Sequence, residues 1–600
     1  MRDFFRNPEK SYFIISPDGQ KISFTQPYEN RMNVFIQNLG SEGTKRITSV
    51  TDRDIFTYFW KGNDRILYLK DFGGDENFHL FSVDINGNSV QDLTPYDSVK
   101  VELIDDLYDD STDVLIGMNK RNRQIFDAYR LNTVSGSITM VAENPGNITG
   151  WLTDHEGKIR LATVTDGVNN SILYRETEND SFQVIITTNF KENFSPLFFT
   201  FDNKNLFVVS NIGRDKDAII IYDIDGEKEK EVIFEDPEYD VHGLQYSRLR
   251  KVLTEVNYVT WKTVRKILDK ETEQLYANLG QKLPDHEIYL TSSNKGEDIF
   301  TVRTFSDRNP GSYYVYEKNS DKLTKLADRN PWINETDMAS MKPISYTSRD
   351  GLTIHGYLTL PPGKEPKNLP VVVNPHGGPW VRDRWGFNPE VQFLANRGYA
   401  VLQMNYRGST GYGRKFWEAS FKQWGRKMQD DISDGVLWLI KEGIADPERV
   451  AIYGGSYGGY ATLAGVCFTP DLYCCAIDYV GVSNLFTFLK TIPPYWKPYL
   501  DMMYEMVGDP VKDSALMVST SPVFHADKIK VPLLVAQGAK DPRVNINESN
   551  QIVEALKNRG INVEYLVKEN EGHGFANEEN RFDFYAAMEK FLATHLSERE

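Results

Sequence analysis

The sequence predicts two domains of different fold class, an all-β propeller of about seven blades over residues 1–338 and an α/β domain over residues 339–600. Three observations support this prediction. The chain has 600 residues, several times the length that usually forms one hydrophobic core. Its first half repeats short β-branched or aromatic runs between turns rich in Asp, Gly and Asn. Beyond about residue 340, apolar runs alternate with helix-like segments.

The repeated unit of the first half is a pair of short strands joined by a tight turn. Examples are residues 14–24, 81–88 and 219–226, each with an Asp-Gly or Asn-Gly pair that supplies the positive backbone dihedrals of a hairpin. Such units recur roughly every 40 to 50 residues, which favours propeller blades of four strands. Because no single dipeptide marks each blade, several unrelated β-domains remain the alternative.

The second half contains apolar runs typical of a parallel sheet covered on both faces. They are residues 371–374, 401–404, 450–453, 476–480, 532–536 and 563–567. Between two of them, residues 430–442 carry apolar side chains close to helical spacing, and Gly443 can end that helix. The alternation predicts a doubly wound α/β domain. Its boundary with the propeller is expected in the polar, turn-rich stretch 330–342.

A Gly-x-Ser-x-Gly motif places Ser456 at a strand-to-helix turn of this domain. It follows the predicted strand 450–453 and precedes a helix of small residues that begins at Gly459. In this context the glycines allow the strained turn that exposes a nucleophilic serine above the sheet of an α/β-hydrolase fold. The alternative is a glycine-rich helix start without catalytic function.

A serine nucleophile needs a histidine base and a carboxylate that orients it, and in this fold they follow the serine in the order Asp, His. His573 comes just after the strand 563–567, whereas His525 precedes a strand and is expected to pack or form hydrogen bonds. Asp541 follows the strand 532–536 at the same sheet edge. Asp501, Asp509 and Asp527 lie in less suitable connections. The predicted triad is therefore Ser456, Asp541 and His573.

Negative charge on the substrate oxygen requires hydrogen-bond donors. The backbone N–H of Tyr457, directly after the serine, is one expected donor. The second is expected in the glycine-rich loop after the strand 371–374, at Gly378 or, as the next choice, at Gly377.

Three segments together resemble the prolyl oligopeptidase family, nearest its acylaminoacyl-peptidase branch. They are His-Gly-Gly-Pro at 376–379, Asn-Tyr-Arg-Gly-Ser-Thr-Gly-Tyr-Gly at 405–413 and Gly-Gly-Ser-Tyr-Gly-Gly-Tyr at 454–460. The resemblance covers most of residues 340–600, and the first half only through the style of its β-repeats. It implies a propeller over a peptidase domain, cleavage of short peptides in the cavity between them, and the same triad.

The resemblance also suggests substrate-binding residues. Tyr412 matches the tyrosine whose hydroxyl is the oxyanion donor in some branches, but the 376–379 loop favours the backbone amide and leaves Tyr412 as a reserve. Arg543 resembles an arginine that reaches the active site in acylaminoacyl peptidases; a surface ion pair is the alternative.

In the segment after residue 480, Trp496 and its aromatic neighbours Phe486, Phe488, Tyr495 and Tyr499 are candidates for a pocket wall that receives an apolar P1 side chain. No Tyr-Glu-Glu motif occurs before residue 330, which disfavours proline-specific dipeptide release.

Composition restricts the partners. A formal net charge of −17 disfavours a nucleic-acid partner. No apolar run approaches the roughly 20 residues of a membrane helix, and residues 1–7 lack the apolar core of a signal peptide, so we expect a cytoplasmic protein, or an exported or periplasmic one if a signal peptide has been removed. Cys467, Cys474 and Cys475 have neither zinc nor disulfide spacing and are expected to be buried apolar residues, and no metal or cofactor is predicted.

Three functions follow from these predictions. The first is a serine peptidase of the acylaminoacyl-peptidase or oligopeptidase type, whose partner is a short peptide because a propeller would exclude folded proteins. The second is an esterase-like hydrolase with the same triad. The third is a propeller scaffold with an inactive hydrolase domain. A homo-oligomer stays open, since the family assembles in several ways.

Overall fold

The computed structural model describes residues 1–561 and 563–597. Seven small antiparallel sheets follow one another along the first part of the chain, and each takes its strands in sequence order. Their strands are β1 (Ser11–Ile15), β2 (Lys21–Tyr28), β3 (Arg31–Asn38), β4 (Thr44–Arg46); β5 (Thr57–Lys61), β6 (Arg65–Lys70), β7 (His79–Asp84), β8 (Gln91–Asp92); β9 (Val101–Asp105), β10 (Asp113–Asn122), β11 (Ile125–Asn132), β12 (Ile138–Ala142); β13 (Ile148–Thr153), β14 (Ile159–Thr165), β15 (Asn169–Tyr174), β16 (Gln183–Asn189); β17 (Phe194–Phe199), β18 (Asn205–Ser210), β19 (Ala218–Asp223), β20 (Lys228–Phe234); β21 (Val241–Ser247), β22 (Val252–Val259), β23 (Thr263–Ile267); and β24 (Glu287–Ser293), β25 (Ile299–Phe305), β26 (Ser312–Glu317), β27 (Lys322–Asp328). The seven sheets are the blades of a β-propeller, as predicted.

The ring of blades closes through side-chain packing between the first and last blades. Phe13 and Phe24 of the first blade share a buried cluster with Tyr313 and Val315 of the seventh. All four strands of the first blade come from the beginning of the chain, so no strand is exchanged across the closure. Burial of these aromatic rings therefore holds the ring together, at roughly 25 cal/mol for each Å² of apolar surface removed from water.

The sixth blade departs from the predicted four strands, because helix α2 (Lys270–Lys282) follows its third strand. Asp269 caps this helix by accepting a hydrogen bond from the backbone N–H of Thr272. Leu275 and Leu279, four residues apart on one helical face, are buried in a cluster with Val302 of the seventh blade. A helix cap and a helical apolar spacing thus replace the strand pattern here.

The second domain is built on an eight-stranded sheet with the order β28-β29-β31-β30-β32-β33-β34-β35. β28 to β29 and β29 to β31 are antiparallel, and the other neighbours are parallel. The strands are β28 (Met341–Thr347), β29 (Thr353–Thr359), β30 (Leu369–Val373), β31 (Ala400–Asn405), β32 (Ala445–Gly455), β33 (Cys475–Tyr479), β34 (Leu533–Gly538) and β35 (Val563–Lys568). Every predicted strand of this half is present, which confirms the α/β-hydrolase fold.

Helices cover both faces of the sheet. They are α3 (Pro389–Asn396), α4 (Arg414–Glu418), α5 (Lys427–Lys441), α6 (Tyr457–Phe468), α7 (Leu485–Thr491), α8 (Leu500–Met506), α9 (Ser514–Thr520), α10 (Asn547–Lys557) and α11 (Glu578–His595). α5, α6 and α10 contribute to one large apolar cluster, and α3 and α11 contribute to the cluster on the opposite face. Cys467 and Cys475 are buried in these clusters, and Cys474 is half-buried.

The amino-terminal helix α1 (Arg2–Phe5) packs on the α/β domain, although the sequence assigned residues 1–338 to the propeller. The ring of Phe5 stacks on Tyr585 of α11 and meets Phe393 of α3 edge-on. Burial of this ring explains the placement of the first turn. The predicted boundary at 338/339 lies in the connection between β27 and β28, and Asn562 and residues 598–600 are outside the described residues. Within the described ranges, no helix has both the length and the apolarity of a membrane span.

Candidate active site

Ser456 occupies a sharp turn between β32 and α6. Its backbone has φ +60° and ψ −118°, a conformation that costs a non-glycine residue of the order of 1–3 kcal/mol. The glycines around it are required by close contacts: a Cβ on Gly454 would lie 2.5 Å from the carbonyl carbon of Gly458, and one on Gly458 would lie 2.3 Å from the oxygen of Pro375. The turn therefore holds Ser456 at the carboxyl edge of the sheet.

The structure brings the three predicted triad residues together. The distance from His573 Nε2 to Ser456 Oγ is 3.0 Å, and that from His573 Nδ1 to Asp541 Oδ2 is 2.7 Å. Asp541 is buried and fixed, since its Oδ1 accepts hydrogen bonds from the backbone N–H groups of Arg543 and Val544, both at 2.9 Å. This geometry allows the imidazole to take the serine proton while the carboxylate holds the ring.

His525 lies elsewhere, as expected. Its Nε2 is 3.0 Å from the carbonyl oxygen of Val518, and its ring meets Phe468 edge-on. It therefore packs beside α9 and makes no contact with Ser456.

The loop after β30 lies directly beside the serine. A Cβ on Gly377 would be 3.4 Å from the Cβ of Ser456, and Gly378, with φ +115°, lines the same pocket as Ser456 and Tyr457. His376 anchors this loop, because its Nε2 is 2.8 Å from Ser409 Oγ and its Nδ1 is 2.7 Å from the carbonyl oxygen of Gly377. Burial lowers the pKa of His376 to about 4, so the anchoring ring is neutral at pH 7.

Tyr412 is not brought to the site. Its hydroxyl accepts hydrogen bonds from Arg382 Nη2 at 2.8 Å and Asn405 Nδ2 at 2.9 Å, and its ring stacks on His355. Burial raises the pKa of this hydroxyl to about 12. Tyr412 thus supports the loop at the domain interface and does not line the pocket of Ser456.

An apolar pocket of about 520 Å³ opens in front of Ser456 and His573. Trp496 and Arg543, both predicted from the sequence, line it, and so do Phe488 and Tyr499. Phe486 and Tyr495 do not. Further walls come from Trp380, Val381, Trp424, Val482, Met502, Met503, Val507 and Val544. The pocket can accept a bulky apolar side chain next to the reacting carbonyl.

A carboxylate from the propeller reaches Arg543. Glu76, in the loop after β6, lies with its Oε1 2.9 Å and its Oε2 3.1 Å from Arg543 Nε, and the Glu76 side chain is 13% exposed. The backbone of Glu76 has a positive φ of +57°. The acidic, glycine-rich stretch 71–77 was the only sequence signal, and nothing in it indicated a partner 467 residues away.

The propeller also holds the loop that carries His573. Arg53 Nη1 is 2.6 Å from Glu571 Oε2, and Arg53 Nε is 3.1 Å from Asp71 Oδ1, with all three side chains almost fully buried. Glu571 is two residues before His573, and its other oxygen accepts hydrogen bonds from Asn577 N at 2.7 Å and Asn580 Nδ2 at 2.9 Å. The connection before the second blade and the β6–β7 loop of that blade therefore contact the loops that carry His573 and Asp541. Sequence reasoning did not identify Arg53.

Comparisons with known proteins identify the family and the fold. A sequence model of the prolyl oligopeptidase family matches residues 385–599. The chain is 36% identical over 612 residues to dipeptidyl aminopeptidase BIII of Pseudoxanthomonas mexicana, which covers 99% of this chain and 88% of that protein. It is 33% identical over 211 residues to the acylamino-acid-releasing enzyme of Arabidopsis thaliana, covering 34% and 27% of the two chains. The solved structure of a puromycin-hydrolyzing peptidase of Mycobacterium tuberculosis matches with a TM-score of 0.79 and 20% identity over 100% of this chain and 96% of the other, and so shares its fold.

Proposed function

This chain belongs to the prolyl oligopeptidase family of serine peptidases, and from that premise we propose that it releases dipeptides from the free amino end of short peptides. Ser456 is the nucleophile, His573 the general base and Asp541 the group that orients the base. The full-length match to a dipeptidyl aminopeptidase supports this choice, because the match to an acylamino-acid-releasing enzyme spans about a third of the chain.

The reaction uses the hydrogen bonds of the site. Ser456 Oγ attacks the carbonyl carbon while its proton passes to His573 Nε2, and Asp541 stabilises the imidazolium. The backbone N–H groups of Tyr457 and Gly378 stabilise the oxyanion. His573 then returns the proton to the leaving amine, which leaves an acyl group on Ser456. A water molecule then attacks the acyl carbon while His573 takes its proton. The ester bond to Ser456 breaks, and the dipeptide and the free serine are released.

Glu76 is the observation that carries the choice of a free amino end. It is a largely buried carboxylate beside Arg543, which lines the pocket of Ser456 and His573. An α-ammonium group that binds there gains a charge-assisted hydrogen bond to a carboxylate that is only 13% exposed. The absence of a Glu-Glu pair from the sequence before residue 330 disfavours proline-specific release. A single glutamate beside an apolar pocket instead favours dipeptides that end in a bulky apolar residue.

Matched substrates with free and acetylated amino ends test this function. We expect Gly-Phe p-nitroanilide to be hydrolysed with a kcat/KM about 30-fold above that of its acetylated form, since a hydrogen bond between charged groups contributes about 1.5–3 kcal/mol. Glu76→Gln should remove most of this preference and leave the acetylated substrate unaffected. Glu102→Gln is the matched control, because Glu102 is another propeller carboxylate near Tyr499 and is not bound to Arg543.

Release of acylated amino acids is the second candidate, favoured by Arg543. Its guanidinium can donate to the oxygen of a neutral acyl group, with Glu76 holding it in place. Hydrolysis of acetyl-Phe p-nitroanilide faster than that of Gly-Phe p-nitroanilide would select this candidate and reject dipeptide release. Comparison of matched ester and amide substrates covers the esterase alternative, for which only the ester should be turned over.

A further inference from the structure

A cavity rich in arginine lies between the propeller and the α/β domain, away from the pocket of Ser456. Its volume is about 730 Å³. Side chains from both domains and from the amino-terminal segment line it, and six of them are arginines: Arg6, Arg303, Arg329, Arg382, Arg384 and Arg581. In a chain with a formal net charge of −17, such a concentration of positive charge is unexpected.

Three of these arginines have structural partners. Arg6 forms an ion pair with Asp3. Arg382 donates to the carbonyl oxygens of residues 259 and 260 and to the Tyr412 hydroxyl. Arg581 donates to the carbonyl oxygens of residues 5 and 576 and to the side chain of residue 7. These three hold the walls of the cavity.

The other three have no carboxylate partner among the residues that the structure describes. Arg303 donates one hydrogen bond, to the carbonyl oxygen of Pro310 at 3.4 Å, and its buried Nε has no partner. Neither Arg329 nor Arg384 makes a side-chain hydrogen bond or an ion pair within the described ranges. Burial, followed by repulsion from Arg303, lowers the pKa of Arg329. Two neighbouring guanidinium groups without a counter-ion form a site for an anion.

The cavity wall has two carboxyl groups, which are too few to neutralise six guanidinium groups. Glu390 accepts hydrogen bonds from the hydroxyls of Tyr453 and Tyr585. Burial raises the pKa of Asp383 to about 7 and also raises that of Glu390, so both hold their protons more tightly than usual. The cavity is therefore positively charged near neutral pH.

Shared lining residues show that this cavity lies next to a second cavity, which in turn lies next to the catalytic pocket. Arg382 and Arg384 also line a neighbouring cavity of about 550 Å³, which in turn shares Tyr499 with the pocket of Ser456. The three neighbouring cavities, which we call the chamber, thus have Glu76 beside Arg543 at the end that contains Ser456, and arginines without a carboxylate partner at the other end. A zwitterionic peptide fits this polarity when its ammonium group lies near Glu76.

We propose that Arg303, Arg329 and Arg384 bind the carboxyl-terminal carboxylate of the peptide that occupies the chamber. This inference rests on the proposed function, because it assumes that the peptide enters with its amino end at Glu76. It assigns the arginine cavity a role in selecting peptide length: an extended peptide advances at most about 3.3–3.6 Å per residue, so its carboxylate reaches the arginines at only one or two lengths.

A length series tests the proposal. Peptides of four to eight residues with one amino-terminal sequence are compared as free acids and as carboxamides by kcat/KM. We expect the free acid to be favoured about tenfold at one or two adjacent lengths, mainly through KM, since an arginine–carboxylate contact is a charge-assisted hydrogen bond. Arg303→Gln combined with Arg329→Gln should abolish that preference and leave the carboxamides unaffected. Arg214→Gln, which removes an arginine paired with Glu229, is the control and should keep the preference.

The outcomes separate this proposal from the function on which it rests. Gly-Phe p-nitroanilide has no carboxyl end, so its turnover reports dipeptide release alone and also shows that the variants are folded. Equal rates for acids and carboxamides at every length, with normal turnover of the p-nitroanilide, would overturn the proposal. The last comparison uses carboxamide peptides that carry one glutamate at successive positions. If these peptides are preferred and free acids are not, the cavity binds acidic side chains, and binding of the carboxyl-terminal carboxylate is rejected.

Discussion

The two domains contribute to the active site by different routes. The α/β domain places Ser456, Asp541 and His573 on turns at one edge of its sheet, where short local hydrogen bonds fix each side chain. The propeller reaches the same site from segments in and next to its second blade, where Arg53 is paired with Glu571 in the loop of His573 and Glu76 is paired with Arg543. The proposed reacting groups are thus assembled within one domain, while the other domain contacts the loop that carries His573 and the side chain of Arg543.

Removal of the reacting groups should produce the largest effects and should leave the propeller contacts intact. Ser456→Ala and His573→Ala are expected to lower kcat by about 10⁵- to 10⁶-fold, and Asp541→Asn by about 10⁴-fold, because the triad acts as a unit. Steady-state kinetics and labelling by a fluorophosphonate provide the measurement. An Asp541→Asn variant that folds and keeps near wild-type activity would show that another carboxylate orients His573.

The contrast between the domains also explains what the sequence could predict. Ser456, Asp541 and His573 each follow a recognisable strand, so strand ends and chain order were sufficient to place them. The partners of Arg53 and Glu76 are 518 and 467 residues away, and no local pattern encodes such pairs. Tyr412 was assigned by similarity to a loop motif, but Arg382 and Asn405 hold its hydroxyl away from the pocket.

The same reasoning applies to the fold. Strand alternation and hairpin turns predicted seven blades. The prediction missed α2 in the sixth blade because it assumed four strands in every blade, although Asp269, Leu275 and Leu279 form a local helix pattern. The packing of Phe5 on Tyr585 joins residues from opposite ends of the chain, which periodicity alone cannot detect. The arginine cavity likewise draws its lining from segments that are remote in sequence.

A matched pair of glycine variants tests whether the propeller loop at Gly73 and Gly74 positions the loop that carries His573. A Cβ on Gly74 would lie 2.3 Å from the backbone nitrogen of Gly572, next to His573, whereas one on Gly73 would lie 2.5 Å from Nζ of the flexible Lys540 side chain. Both glycines have positive φ, so the cost of the backbone conformation is shared. We expect Gly74→Ala to lower kcat about 100-fold and Gly73→Ala to lower it less than tenfold. Similar kcat values for the two variants would show that the position of the His573 loop does not depend on the contact with Gly74.

Arg53→Met tests the electrostatic link between the domains. It leaves the buried carboxylates of Glu571 and Asp71 without their cation, which should destabilise the protein by about 3–5 kcal/mol. Lys530→Met is the control, because both side chains of its ion pair with Asp471 are exposed, at 65% and 88%, and its loss should cost about 1 kcal/mol or less. Thermal unfolding followed by calorimetry measures both. Equal losses would place the stability of the interface outside the Arg53 cluster.

The smallest predicted effect concerns pH and a second contact between the domains, where Asp240 accepts a hydrogen bond from the backbone N–H of Gly413. Burial, together with repulsion from Asp240, raises the pKa of the neighbouring Asp217 from 3.8 to about 7. The folded state therefore binds a proton that the unfolded state has released between pH 4 and 7, and stability should fall as the pH rises through this window. Asp217→Asn should remove this loss and stabilise the protein at pH 8 by about 1–2 kcal/mol, with little effect at pH 4.

Asp215, two residues earlier, lies at the same contact and provides a control, because its pKa is shifted in the opposite direction. Its carboxylate accepts hydrogen bonds from Lys216 Nζ and from the backbone N–H of Lys415, and although burial alone would raise its pKa, these bonds lower it. The unfolded state then binds the extra proton near pH 4, so Asp215 stabilises the protein above that pH and ceases to do so as the pH falls through its folded pKa. Asp215→Asn should therefore destabilise the protein at pH 8, where Asp217→Asn stabilises it. If both variants shifted Tm in the same direction at pH 8, charge at this contact would not control the pH dependence of the domain interface.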